Sequence, residues 1–166
     1  MSEEESKARK KEELARIYIN EIVRNTFHGI SQLDEQAAET VLKSTCRGCV
    51  ERTLAFIAHN YGYDPEKPDL DAYMAGEDKL NNVLIPGKSS RTREGNVITL
   101  TVKAGECISP LVRDYKLVQP STNLCLCSKN FTRVLYEAAA QRSVKVDLIE
   151  SYNKGGNCCQ FRVELL

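Results

Sequence analysis

The chain lacks the features that mark several large classes of protein. Its 23 lysines and arginines balance 23 aspartates and glutamates, so no excess of positive charge indicates nucleic acid or an anionic membrane as a partner. No apolar run approaches the roughly 18–20 residues that span a bilayer. The N-terminus has no apolar segment of the kind found in signal peptides. These absences predict a cytoplasmic location, with no nucleic-acid and no membrane partner.

Histidine is scarce as well, with only His28 and His59 among 166 residues. Each falls near the C-terminal end of a predicted helix, where a cation is favourable against the helix dipole, so we interpret both as structural. The absence of any other histidine argues against Ser-His-Asp or Cys-His catalysis, unless one of these two reaches the cysteines of the closing segment. Gly155-Gly156 falls in a predicted hairpin turn rather than before a helix, so no phosphate-binding loop is indicated.

Cysteine, by contrast, is plentiful. Seven cysteines in a chain without a secretion signal favour free thiols, metal ligands or redox chemistry over a disulfide scaffold. Cys46-x-x-Cys49 lies in a predicted helix at core spacing, and a thioredoxin-like motif would follow a strand, so we favour core packing for this pair. If the helix breaks at Gly48, the two thiols would instead face a pocket.

Hydrophobic periodicity predicts an α+β fold in a single domain, residues 1–166. A long helix covers residues 3–30, and we expect residues 1–12 to fray because they are polar after the first methionine. A second helix starts at a capping-box pattern, Ser31 followed by Asp34. A β-hairpin, a connection, a third helix and a last β-hairpin follow, so the helices should pack on one face of an antiparallel sheet.

The closing segment, residues 125–161, holds four of the seven cysteines. Its helix carries an apolar stripe at helical spacing, and Ser128 is the predicted N-cap. Cys125 and Cys127 would then precede the helix in an extended lead-in. Their spacing of two residues in such a segment puts both thiols on one side.

The two strands of the last hairpin alternate between faces. Val144, Val146 and Leu148 face the core, and Glu150 falls on the same parity. The return strand has its own core-facing set, namely Cys159, Phe161, Val163 and Leu165. Cys158 points the other way. A carboxylate on an apolar face is costly unless it is paired or bound to a metal.

These parities bring Cys125, Cys127, Glu150 and Cys159 together below the helix. Thiolates and a carboxylate suit tetrahedral zinc, so we predict a metal or reactive-thiol site. The alternative is a set of buried thiols beside a carboxylate at a strand end, since cysteine is often buried. A position at the start of the helix also predicts a pKa for Cys127 that is lowered by the helix dipole.

The ending, with Glu150, a glycine-rich turn and Cys159-x-Phe161, resembles the 4-vinyl reductase domain family, which is distantly similar to the TRAPP trafficking subunits. The resemblance implies a zinc site built from a cysteine before the last helix, a glutamate at the end of the next strand, and cysteines flanking the final turn. Cys127 and Glu150 are 23 residues apart, which matches that pattern.

The chain departs from that pattern at Asn153, where the resemblance implies the middle cysteine. Cys125 or Cys107 would have to supply the missing ligand. The resemblance therefore implies zinc bound by a set drawn from five residues, namely Cys107, Cys125, Cys127, Glu150 and Cys159.

A second branch is more similar to this chain, namely bacterial chains labelled as similar to L-2-amino-thiazoline-4-carboxylic acid hydrolases. The shared pieces are Cys107-x-x-Pro110-Leu111-Val112, Cys125-x-Cys127-Ser128 and a Gly-Gly-x-Cys-x-x-Phe ending. The resemblance covers residues 97–166, and the first ninety residues match only in being helical.

Three hypotheses for the function follow. We favour a small ligand-binding or sensing domain with a cavity between helices and sheet, which takes a small-molecule ligand. The rival is a hydrolase in which a cysteine attacks a small cyclic substrate while Glu150 moves protons. The third is an interaction subunit that forms a homodimer through its N-terminal helices, because the apolar stripe of residues 14–30 has no predicted cover.

Overall fold

The computed structural model describes residues 3–166 and confirms the predicted α+β architecture. The helices are α1 (Glu3–Ser31), α2 (Glu35–Tyr61), α3 (Leu70–Leu84), the short α4 (Pro110–Arg113) and α5 (Thr122–Ala140). The strands are β1 (Ser89–Glu94), β2 (Val97–Val102), β3 (Val144–Glu150) and β4 (Cys159–Leu165), with a 3₁₀ turn at Tyr152–Lys154 between the last two. The predicted fraying of residues 1–12 falls partly outside the described residues, and α1 already begins at Glu3.

The strands form one antiparallel sheet in the order β1-β2-β4-β3, so the two hairpins lie side by side. β4 is central, and its residues alternate strictly between buried and half-buried. The predicted core-facing set of β4, which includes Cys159 and Phe161, is therefore confirmed. Val102 of β2 pairs with Cys159, so that end of the sheet meets the last turn.

The helix starts follow from their capping side chains. Asp34 accepts a hydrogen bond from the Ala37 amide at 2.9 Å, and α2 therefore begins after Asp34 rather than at Ser31. α5 begins at Thr122, because Ser121 is extended and its hydroxyl accepts from the Leu124 amide at 3.2 Å. The prediction of Ser128 as the N-cap is wrong, and the helix starts two turns earlier.

α5 lies at the centre of the fold, because it packs against β3 on one side and along α2 on the other. Leu135, Tyr136 and Ala139 enter the main core beneath the sheet. α2 runs unbroken through Gly48, so the predicted break at that glycine does not occur. α1 is anchored near its C-terminal end by Phe27 and Ile30, which pack in a smaller cluster.

Among the described residues, no helix is both long and apolar enough to cross a membrane. The longest, α1, has 29 residues, and many of its side chains are charged.

A buried ion pair ties the first hairpin to two helices. The guanidinium of Arg91 on β1 donates to the carboxylate of Glu77 on α3 and, at 2.7 Å, to the carbonyl of Met74. The hydroxyl of Tyr136 on α5 donates to the same carboxylate at 3.1 Å. The side chains of Arg91 and Glu77 are only 8% and 15% exposed. Each charge therefore depends on the other, since water solvates neither.

Arg91→Met tests this dependence. The variant leaves the buried Glu77 carboxylate without its counterion, so we expect the free energy of unfolding to fall by about 3–5 kcal/mol. Urea unfolding followed by circular dichroism measures the loss.

Arg93→Met on the same strand is the matched control. Arg93 pairs with Asp71 of α3 at 2.7 Å, but the two side chains are 37% and 77% exposed. We expect its loss to stay below about 1 kcal/mol. Equal losses in the two variants would contradict the role assigned to burial.

Candidate functional site

Cys125 and Cys127 lie within α5, and this determines where each thiol points. A helix turns about 100° per residue, so two residues of separation place side chains about 200° apart. The prediction that both thiols share one side holds only for an extended segment, and it is wrong. Cys125 faces the sheet, whereas Cys127 faces the other way, towards α1 and α2.

Three of the five predicted site residues meet at one small cavity between α5 and the sheet. Cys107 comes from the segment between β2 and α4, Cys125 from α5, and Cys159 from the start of β4. The other lining residues are Ile108, Leu124, Ser128, Leu148, Ser151, Asn153 and Phe161. The cavity volume is about 10 Å³, which is room for about one water molecule.

Hydrogen bonds join the cavity floor to the start of α5. The Cys125 thiol donates to the buried hydroxyl of Ser151 at 3.4 Å. The side-chain amide of Asn153 donates to the Ser121 carbonyl at 3.0 Å. Asn153, where the resemblance implies a ligand cysteine, therefore holds the 3₁₀ turn against the helix.

The segment that carries Cys107 is bonded to the 3₁₀ turn near the cavity. The Gly105 amide donates to the hydroxyl of Tyr152 at 2.9 Å. Burial raises the pKa of the Cys159 thiol above its ordinary value of 9.0, and the neighbouring thiols Cys107 and Cys125 raise it further. Cys159 is therefore a neutral thiol at pH 7 and gives the cavity no charge.

Glu150 lies outside this cavity because a β-bulge changes its parity. Leu148 pairs with Phe161, but Glu150 pairs with Gln160, so Ile149 is an extra residue on β3. The prediction that Glu150 faces the core with Leu148 is wrong for this reason. The hydrolase hypothesis assigned proton transfer to Glu150, and the lining of the cavity does not include it.

The Glu150 carboxylate instead organises the last turn. It accepts a hydrogen bond from the Asn157 amide at 2.5 Å. That amide, followed by the Cys158 thiol, lowers the pKa of the Glu150 carboxyl below its ordinary value of 4.5. A Cβ atom on Gly156 would lie 2.4 Å from Cγ of Glu150, so only glycine leaves room for the carboxylate there.

Cys127 belongs to a separate group of thiols. The Cys46 thiol donates to the Cys127 carbonyl oxygen at 3.7 Å. The hydrogen bond with the Cys46 side chain raises the pKa of the Cys127 thiol, and burial adds to the effect. The predicted lowering of this pKa is wrong. The helix dipole acts mainly on the first turn of α5, and Cys127 lies beyond that turn.

The structure also shows where the other cysteines and the histidines considered in the sequence lie. Cys46 is buried as predicted for core packing, but Cys49 is exposed. His28 and His59 lie in the last turns of α1 and α2, at the predicted C-terminal ends. Ser151 is a site residue that the sequence reasoning missed. The sequence offers no signal for it, since its burial depends on the 3₁₀ turn.

The five predicted ligands do not fit a zinc site. Within residues 3–166, no group of three or more histidine, cysteine, aspartate or glutamate side chains is placed to hold a metal ion. Cys107, Cys125 and Cys159 line the cavity, whereas Cys127 lies across α5 and Glu150 binds the last turn. We therefore assign no chemistry to a metal here.

Comparison with known proteins bears on the fold. No protein-family model and no curated protein matches the chain, so the resemblance to the 4-vinyl reductase domain family stays a prediction. The chain is similar to a trafficking protein particle complex subunit 3 from Naegleria fowleri, solved covalently bound to palmitic acid. The TM-score is 0.55 at 12% identity, over 95% of this chain and 96% of that chain. The similarity shows a TRAPP-like α+β fold.

Two H-NOX structures from Shewanella oneidensis, in the Fe(II)NO and Fe(II)CO states, are more distant in structure. Each is 15% identical over 89% of this chain and 74% of that chain, with TM-scores of 0.45 and 0.44. Scores this low support no argument about the fold or the function.

Glu150→Gln tests the role of the carboxylate in the turn. The folded pKa of Glu150 lies below its unfolded value, so its stabilising contribution is present above the unfolded pKa and lost as the pH falls through the folded pKa. We expect wild type to resist urea better than the variant at pH 7. This difference should start to shrink near pH 4.5 and vanish once the pH has fallen below the lowered pKa of the folded state.

Glu94→Gln, on an exposed residue at the far end of the sheet, serves as the control. The same pH-dependent difference in both variants would show that the last turn is not its source.

Proposed function

We propose that the chain is a small-molecule-binding domain whose ligand occupies the space between α5 and the sheet. The observation that carries this proposal is the meeting of Cys107, Cys125 and Cys159, from three separate segments, at one cavity. Packing alone brings thiols into cores often. Here, however, Cys107 is half-buried, so the cavity lies near the surface on that side.

The cavity must widen to admit a ligand. Its volume of about 10 Å³ is far below the roughly 300–1,000 Å³ of typical ligand pockets. The residues that cover it, Cys107 and Ile108, lie outside helices and strands. The bond from Gly105 to Tyr152 is one attachment of this segment, so its opening would loosen the cover. A cover without regular structure opens at lower cost than a packed helix or strand.

The lining selects an apolar ligand. Within the described part of the chain, no charged side chain lines the cavity, and Leu124, Leu148 and Phe161 form much of its wall. The neutral thiol of Cys159 adds to this character. The TRAPP subunit of similar fold was solved bound to palmitic acid, which makes a fatty acyl chain the first ligand to test.

Binding of cis-parinaric acid, a fluorescent fatty acid, is the direct test. We expect saturable binding to wild type. Cys107→Phe places a large side chain at the mouth of the cavity and should weaken binding about tenfold or more, which corresponds to about 1.4 kcal/mol. Titration followed by fluorescence gives both dissociation constants.

Glu106→Phe, at the exposed neighbouring residue, is the matched control and should bind as wild type does. Absence of saturable binding to wild type would refute a fatty acyl ligand. Equal weakening in the two variants would place the binding site elsewhere.

The exposed face of α1 supports a second candidate function, association with another copy of the chain. Leu14, Ile17, Tyr18 and Ile22 are each more than half exposed. An apolar stripe of this length on a helix that is anchored mainly near one end is typical of an interaction surface. We propose that two copies pair through this face of α1.

Light scattering measures the mass in solution. We expect a dimer for wild type and a monomer for the double variant Ile17→Glu with Ile22→Glu, because charge is costly in an apolar interface. Ile149→Glu alters a residue on β3 that is equally exposed, and it should leave the dimer intact. A wild-type monomer at high concentration would exclude this function.

A further inference from the structure

A second group of thiols lies on the face of α5 opposite the cavity. Cys46 and Cys49 belong to α2, and Cys127 belongs to α5. Cys46 is 1% exposed, Cys127 is half-buried, and Cys49 is exposed. The described residues include all seven cysteines, and among these Cys49 alone is exposed.

The three thiols are neighbours. The Cys46 sulfur lies 3.7 Å from the Cys127 carbonyl oxygen, so the Cys46 thiol packs directly against Cys127 of α5. Cys46 and Cys49 are three residues apart on one helix, so they lie on the same face. The group therefore contains a buried thiol that bonds to Cys127 across a helix interface, with an exposed thiol one turn away.

Packing explains only part of this arrangement. A buried cysteine behaves as a small apolar side chain, and that suffices for Cys46. It does not account for Cys49, which is in water. It also does not account for the hydrogen bond of the Cys46 thiol to Cys127 across the helix interface. Disulfide formation requires two cysteines that are close in space, and this bond brings Cys46 and Cys127 together.

We propose that this group is an oxidation site at which a disulfide between Cys46 and Cys127 reversibly cross-links α2 to α5. The oxidant is a small disulfide such as glutathione disulfide. The exposed Cys49 reacts first, because exchange requires access to the attacking thiolate.

The steps conserve atoms and electrons. The Cys49 thiolate attacks the reagent, the reagent's S–S bond breaks, and one reagent thiol leaves. Cys46, three residues away on the same face of α2, then attacks the sulfur of Cys49 and displaces the second reagent thiol. Cys127 attacks the sulfur of Cys46, which forms the final disulfide and returns Cys49 to its reduced state. In sum, Cys46 and Cys127 lose two protons and two electrons, and the reagent disulfide becomes two thiols.

Peptide mapping of the full chain tests the proposal. Reduced protein is incubated with glutathione disulfide, blocked with N-ethylmaleimide and digested with trypsin without reduction. Trypsin separates the two cysteines of α2, because Cys46 falls in residues 44–47 and Cys49 in residues 48–52. Cys127 falls in residues 117–129. We expect a cross-linked peptide of 44–47 with 117–129 that disappears after treatment with dithiothreitol.

Cys125 shares the peptide of Cys127 and provides the matched control. Cys127→Ala should abolish the cross-linked peptide, and Cys125→Ala should leave its yield unchanged. Cys49→Ala should slow the reaction while the same peptide still forms. Circular dichroism of each reduced variant checks that it is folded.

The wild-type map alone can overturn the proposal, whatever the variants do. A map without the cross-linked peptide would do so, whether Cys49 retains glutathione or forms a disulfide with Cys46 alone. Loss of the cross-link in Cys125→Ala but not in Cys127→Ala would also contradict it. An unchanged rate in Cys49→Ala would refute the first step.

Discussion

α5 is covered on two opposite faces, by the sheet on one and by α2 on the other. A helix covered in this way must present apolar or small side chains in two directions, and α5 does so with Leu135 and Ala139 on the sheet side and Leu126 on the other. The cap at Ser121 sets its starting residue and so fixes which side chain faces which layer. Both thiol groups described above depend on this constraint.

Much of the fold follows from the period of the apolar residues. Alternation in β4 correctly predicted that Cys159 and Phe161 are buried, because a central strand that packs under a helix keeps strict parity. The predicted helices and hairpins also occur in the predicted order, with two further helices, α3 before the first hairpin and the short α4 in the connection. These features depend on local patterns that are repeated over many residues, and such patterns survive small errors in the bounds of an element.

The candidate site was harder to predict, because it depends on single residues at element ends. With the N-cap predicted at Ser128 rather than Ser121, Cys125 and Cys127 were expected in an extended segment. This error alone led to the prediction that both thiols lie on one side. The bulge at Ile149 has no sequence signature in the alternation of β3. Tertiary contacts decide both points: the amide of Asn153 bonds to the Ser121 carbonyl, and the last turn holds Glu150.

The bulge at Ile149 also determines how such a cavity can change between related chains. With regular pairing, the carboxylate of Glu150 would follow the parity of Leu148 and lie under α5. The single extra residue moves the negative charge to the last turn and leaves the interior uncharged. A shift to regular pairing, in which Ile149 pairs with Gln160 and Glu150 with Cys159, would therefore convert an apolar compartment into an acidic one with every side chain kept. Chains of this fold could then diverge in the chemistry they admit through a change of strand register rather than a change of side chain.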